Sequence, residues 1–400
     1  MLNTATERAG INRTRIMSIL TAGLCIVFMA VLSLIPMLPE VSGELGVSKP
    51  FMGIIMGSFI IFMAIPQVPI GVLSDRYGRR LFVTAGILVF SCGLLVFGTA
   101  NSGIQLLVAR SISGLGVAMF FPTAYTIVND IYPIRERGKG LGIISMAVGL
   151  GTVGGYIVGG VVGGLFGWRT VFLSMAGTSL LLALVTFIWL TETSSRIMRS
   201  DFGVRKILVA TLLMFKDTTL LMAGFVSMMC GISVIGASYV LPFFATGTVT
   251  PVQMGFIFIP YAITSSFGAF LTGFLSDRIG RKPPLVIMIL LGSIALLLLS
   301  HVNLTPMAIA INFGFVGLCL GPVVTLSTTI LADQVMKKDV RALGTAIGAF
   351  NMIRWLGAAT GPLVAGLILE LADARTSFFV LGILTLCATF ISLFLKETLE

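Results

Sequence analysis

The chain has 400 residues, 56% hydrophobic and only 10% charged, where an ordinary soluble domain carries about a quarter charged residues. A mean hydropathy of +1.06 excludes a water-soluble fold, whose surface must be largely polar. The formal net charge of +10 invites a nucleic-acid reading, which the placement of the charges removes below.

In lipid, only helices and closed barrels satisfy their own backbone hydrogen bonds. The long apolar runs lack period-two alternation, which selects helices. At roughly 20 apolar residues per crossing, the first half predicts spans at 16–38, 51–74, 81–99, 103–128, 141–166 and 169–191. A hydrophilic stretch at 192–217 follows, then spans at 218–244, 252–275, 284–302, 305–332, 342–370 and 375–395. The expected fold is an all-α membrane protein with twelve transmembrane helices in two homologous six-helix bundles. The bundles are 1–191 and 218–400, with 192–217 as a cytoplasmic linker. The first apolar run is too long for a cleavable signal peptide.

With the N-terminus cytoplasmic, 21 of the 26 Lys and Arg fall in inside segments, among them Arg76, Arg79, Arg80, Arg137, Arg281, Lys338 and Arg341. Outside segments hold only Lys49, Arg169 and Arg375. This asymmetry sets the orientation, with both termini expected on the cytoplasmic side of a cell (inner) membrane, and accounts for the basic charge without nucleic acid.

The halves repeat. Gly71-Val-Leu-Ser-Asp75-Arg-Tyr-Gly78-Arg79-Arg80 returns 202 residues on as Gly273-Phe-Leu-Ser-Asp277-Arg-Ile-Gly280-Arg281-Lys282. Gly151, Gly155 and Gly159, spaced one turn apart, return at 206 residues as Gly357, Gly361-Pro362 and Ala365. Asp130 and Asp333, at the ends of the fourth span of each half, lie 203 apart. Four residues of spacing puts small residues on one helix face, where they allow close packing. Gly149-Leu-Gly151-Thr-Val-Gly154 also fits a dinucleotide-binding pattern, but no strand precedes it and it lies inside a span.

The Gly-x-Leu-Ser-Asp-Arg-x-Gly-Arg-(Arg/Lys) turn resembles the cytoplasmic loop signature of the major facilitator superfamily, between its second and third helices. The glycines allow a tight turn, Asp75 can accept from helix-terminus amides, and Arg79 can pair with Asp130; Asp277, Arg281 and Asp333 repeat the set. The resemblance implies that these six charges gate the cytoplasmic side. It also implies a twelve-helix transporter working by alternating access. Leu107-Val-Ala-Arg110-Ser-Ile-Ser-Gly114 resembles the family's fourth-helix signature. The glycine row of 151–160 resembles the fifth-helix signature of its antiporters, with Tyr156 where proline is usual. Ile35-Pro36-Met37-Leu38-Pro39 resembles a pattern of its drug exporters, and is equally read as helix termination before an outer loop.

Arg354 lies 13 residues beyond Arg341, about 20 Å into the membrane at 1.5 Å per residue, and Arg110 enters from outside to about 10 Å. A membrane arginine is costly and should face protein or water. Each is read either as a structural group bonding carbonyls or as a substrate contact. Tyr239 and Asn312, polar groups within spans, complete the candidate substrate set. All sixteen Asp and Glu lie in loops or at span ends, so proton coupling has no evident deep acceptor.

The five cysteines stand singly in apolar runs, and His301 is the only histidine. No metal, cofactor or catalytic constellation is expected, nor a phosphate loop for a nucleotide-driven pump. The leading function is a secondary transporter exporting lipophilic compounds with protons as coupling ion, acting as a monomer. The alternative is a transporter of an organic anion held by Arg110 and Arg354.

Overall fold

The computed structural model describes residues 12–193, 217–302, 305–338 and 343–398. The linker expected at 192–217 therefore lies almost wholly outside the described residues, as does Arg341. Among the described residues the chain is helical, with no strand. The first half contributes α1 (Arg13–Glu44), α2 (Lys49–Ala64), α3 (Gln67–Tyr77), α4 (Arg79–Gly98), α5 (Gly103–Ile131), α6 (Arg137–Phe166) and α7 (Trp168–Trp189). The second contributes α8 (Thr218–Phe244), α9 (Pro251–Ile279), α10 (Lys282–Leu299), α11 (Pro306–Lys338), α12 (Leu343–Leu371) and α13 (Ala374–Ser392).

Eleven of these helices are long and apolar enough to cross a membrane, and α2 with α3 makes a twelfth crossing when taken as one span. The break between them falls at Ile65-Pro66, where the proline has no N–H for the carbonyl one turn back. In α1, by contrast, Pro36 and Pro39 sit inside a helix that continues to Glu44. They do not terminate it. Neighbouring backbone in a membrane helix adjusts to the lost donors. Helix starts follow short-range signals: Ser102, Asp217, Thr250 and Asp373 each accept a backbone N–H in the first turn of α5, α8, α9 and α13.

The described residues fall into two compact units, one drawn from residues 1–34 and 61–201, the other from 35–60 and 202–400. In the first unit, α4 packs against α5 and α7, and α3 against α5. The glycine row of α6 lies on α1. A Cβ at Gly151 would stand 2.5 Å from the Cys25 carbonyl oxygen, and one at Gly155 would stand 2.6 Å from that of Met29. Gly159 faces Ser33 in the same way. These contacts are backbone against backbone, and a methyl group would separate the helices.

In the second unit the same pairings recur as α10 against α11 and α13, α9 against α11, and α8 against α12. Gly357 faces Met228, and a Cβ at Gly361 would stand 2.6 Å from the Ile232 carbonyl oxygen. The segment 35–60 adds the first turns of α2 to this unit. There Gly366 of α12 approaches the Lys49 carbonyl, Gly53 approaches Pro362, and Gly57 approaches Ala359.

Candidate functional site

Two features collect the charged and polar side chains: a duplicated cluster at a helix turn in each unit, and a cavity in the second unit.

The turns are built on Gly78 and Gly280, with φ of +104° and +97°, a backbone region that side-chain-bearing residues avoid. In the first, Arg79 pairs with Asp130 and, at 3.1 Å, with Asp75; it also donates to the Thr126 carbonyl at 3.0 Å. In the second, Arg281 pairs with Asp277 and, at 3.4 Å, with Asp333, and donates to the Ser276 hydroxyl at 2.9 Å. Burial by itself would lower the Arg281 guanidinium, but the hydrogen bond and charge of Asp277, with those of Asp333, raise it above its usual range. All six predicted gate charges thus meet in two sets of three, each set within one unit.

Each cluster contains a carboxylate that sequence reasoning missed. Glu192 accepts the backbone N–H groups of Arg79 and Arg80 at 3.0 and 3.2 Å. Glu397 accepts those of Arg281 and Lys282 at 2.9 and 3.0 Å. An anion at a helix N-terminus meets both unsatisfied amides and the positive end of the helix dipole. The following threonines, Thr193 and Thr398, donate to Asp130 and Asp333 at 3.4 and 3.1 Å. Arg80 and Lys282 reach the carbonyls of Phe187 and Leu393 near the ends of α7 and α13. The signal was present as a repeated Glu-Thr dipeptide at an offset of 205, close to that of the other landmarks.

The membrane arginines differ in surroundings. Arg110 of α5 is buried, its guanidinium 5.1 Å from the Phe97 ring centre and 6.0 Å from that of Phe172. Arg354 of α12 instead lines a cavity of about 390 Å³ between α8, α9, α11 and α12. Its Nε and Nη2 share the Asn351 side-chain oxygen at 3.4 and 3.2 Å, and its guanidinium lies over the Trp355 ring at 3.9 Å. Both partners sit on its own helix and neither carries a negative charge. A desolvated cation–π contact is worth about 2 kcal/mol, below the ~2.5–3.5 kcal/mol insertion cost of a central arginine.

Tyr239 and Asn312 do not join Arg354. The Tyr239 hydroxyl donates to the Lys49 carbonyl at 2.6 Å, and Lys49 Nζ lies 3.9 Å from Glu370. Those contacts tie α8, α2 and α12 together. Asn312 lies on α11 outside the cavity lining, its buried Oδ1 without a hydrogen-bond partner among the described residues. No group of three or more metal-ligating side chains occurs among the described residues.

The sequence profile of the Major Facilitator Superfamily matches residues 20–249 and 236–399. The chain belongs to the Major Facilitator Superfamily. It is a multi-pass membrane transporter, not an enzyme. Among relatives of this superfamily member, the multidrug resistance protein MdtG of Rahnella sp. (strain Y9602) is 27% identical over 385 residues, covering 90% of this chain and 89% of the relative. The multidrug resistance protein Stp of Mycobacterium tuberculosis (strain CDC 1551 / Oshkosh) is 23% identical over 425 residues, covering 88% and 78%. The fold is similar to that of a bacterial homologue of the human lysosomal transporter Spinster. That likeness has a TM-score of 0.80 at 18% identity, covering 96% of this chain and 97% of the other.

Proposed function

We propose that this transporter exports small lipophilic compounds by alternating access, coupled to proton movement. The observation that carries the reading is the cavity of about 390 Å³ in the second unit, a volume suited to small organic ligands. Val234, Ile235, Leu320, Val323 and Val324 give it an apolar wall, and Tyr261 and Trp355 add flat rings. Such a surface binds by area and tolerates varied shapes. Two relatives named for multidrug resistance support export. Proton coupling rests on the resemblance of the glycine row at 151–160 to the fifth-helix signature of the superfamily's antiporters.

In this reading Asp75, Arg79, Asp130, Asp277, Arg281 and Asp333 brace the gate on the face bearing the basic turns. That face and both termini are cytoplasmic, and one chain suffices because it contains both bundles.

The test is uptake of the neutral dye N-phenyl-1-naphthylamine into proteoliposomes under an imposed pH gradient. Gradient-dependent accumulation, abolished by a protonophore, is expected. Accumulation indifferent to the gradient removes proton coupling, and no accumulation in either direction removes the lipophilic exporter.

A further inference from the structure

Among the described residues, Arg354 is the only charged side chain lining the cavity between α8, α9, α11 and α12, and no carboxylate among them borders it. The Nε and Nη2 of its guanidinium turn to a neutral amide oxygen one turn back, and its face covers Trp355. A second polar residue, Ser227 of α8, lines the same cavity. Ser227 is fully buried and its hydroxyl has no hydrogen-bond partner among the described residues. Most membrane serines close on a carbonyl of their own helix, as Ser265 and Ser266 of this lining do on Ala262. An orphaned hydroxyl and a cation without a counter-charge, bordering one apolar space, describe a site missing an acceptor.

We propose that this cavity binds an organic anion with a flat apolar body, its carboxylate received by Arg354 and Ser227. The proposal rests on the transporter reading above and names the chemistry of its substrate. A guanidinium offers parallel N–H donors that match the two oxygens of a carboxylate. Ser227 supplies one further O–H donor. The ring of Tyr261, stacked on Phe313 with centres 4.8 Å apart, and the valine and leucine side chains of α11 receive the apolar body. An inorganic anion would leave that apolar wall unused. An organic cation would meet an arginine and no acid.

Three probes share one aromatic body: 1-naphthoate, its methyl ester and 1-naphthylmethylamine. Binding to the purified full-length protein is read from saturable thermal stabilisation and from quenching of tryptophan fluorescence. Naphthoate should bind at least tenfold more tightly than ester or amine, and chloride or phosphate should not compete at equal concentration. Arg354→Gln should erase the preference for naphthoate, Arg354→Lys should keep a weak one, and Ser227→Ala should weaken naphthoate several-fold with the unliganded melting temperature unchanged. If Arg354→Gln fails to fold, the lysine and Ser227 variants decide. Equal binding of acid and ester, or a preference that survives both Arg354→Gln and Ser227→Ala, overturns the site. Dye uptake in parallel proteoliposomes separates the two readings. Naphthoate binding without dye transport refutes the lipophilic exporter and keeps the anion site, and the reverse overturns the site alone.

Discussion

The Tyr239 hydroxyl donates to the Lys49 carbonyl at 2.6 Å, a bond between residues 190 positions apart in the chain. It fastens the first turn of α2 to the buried face of α8. On the same residue the exposed Lys49 ammonium lies 3.9 Å from Glu370. A buried hydrogen bond contributes about 0.5–1.5 kcal/mol, whereas an exposed ion pair contributes about 0–1 kcal/mol. Tyr239→Phe should therefore lower the melting temperature more than Lys49→Ala, which leaves the carbonyl in place. The opposite ranking in thermal melts would show that the charge, not the phenol, makes this connection.

Glu192 and Glu397 each cap a helix N-terminus with both carboxylate oxygens. Glu192→Gln and Glu397→Gln replace one acceptor with an NH₂ that faces a backbone N–H. Each should cost about 1 kcal/mol, the scale of a charge at a helix end, and transport should fall with little change in membrane insertion. The two losses should be alike, because the geometry is repeated. Melting temperatures unchanged in both variants would refute the cap.

Asp373 caps α13 through the Thr376 backbone N–H at 2.6 Å. That bond, with the Thr376 hydroxyl and Arg375 behind it, holds its carboxyl below the ordinary value of 3.8. The folded state therefore favours the charged form. Its contribution is fully present above about pH 4 and is lost as pH falls through the lowered folded value. Melts in mild detergent from pH 5 to pH 3 should show a decline in wild type that is smaller in Asp373→Asn. Parallel curves would remove Asp373 from the acid sensitivity.

Gly155 and Gly149 stand on the same helix with opposite surroundings. A Cβ at Gly155 would lie 2.6 Å from the Met29 carbonyl, while nothing lies within 4 Å of one at Gly149. Gly155→Ala should destabilise by about 1–3 kcal/mol through overpacking. Gly149→Ala should be neutral or stabilising, since alanine is the better helix former. Size-exclusion profiles and melts of the pair test this; equal tolerance would show that α1 and α6 are not held by backbone contact.

The basic asymmetry predicts sidedness. In a background lacking the five native cysteines, single cysteines at Lys49, His301 and Asp373 should react with an impermeant maleimide from outside. Cysteines at Arg137 and Lys396 should react only after permeabilisation. Two sites on the wrong side would overturn the orientation.

The sequence alone determined the solvent, the helical class, the number of crossings and the duplication, because each is a local or periodic property. Twenty apolar residues read as a span wherever they pack, and a repeated Asp-Arg-x-Gly-Arg turn is visible without its partners. Spacing also carried Gly151, Gly155 and Gly159 to one face, and sequence reading placed Arg79 with Asp130. Tertiary structure decided what depends on three-dimensional neighbours. It put Glu192 and Glu397 on amides more than a hundred residues away, and joined residues 35–60 to the unit of the second half. Depth within a span gives Arg110 and Arg354 the same two candidate roles, but depth says nothing about direction around a helix. Packing left one guanidinium against two phenylalanine rings and the other at the wall of a cavity that a buried serine, marked by no motif, also lines.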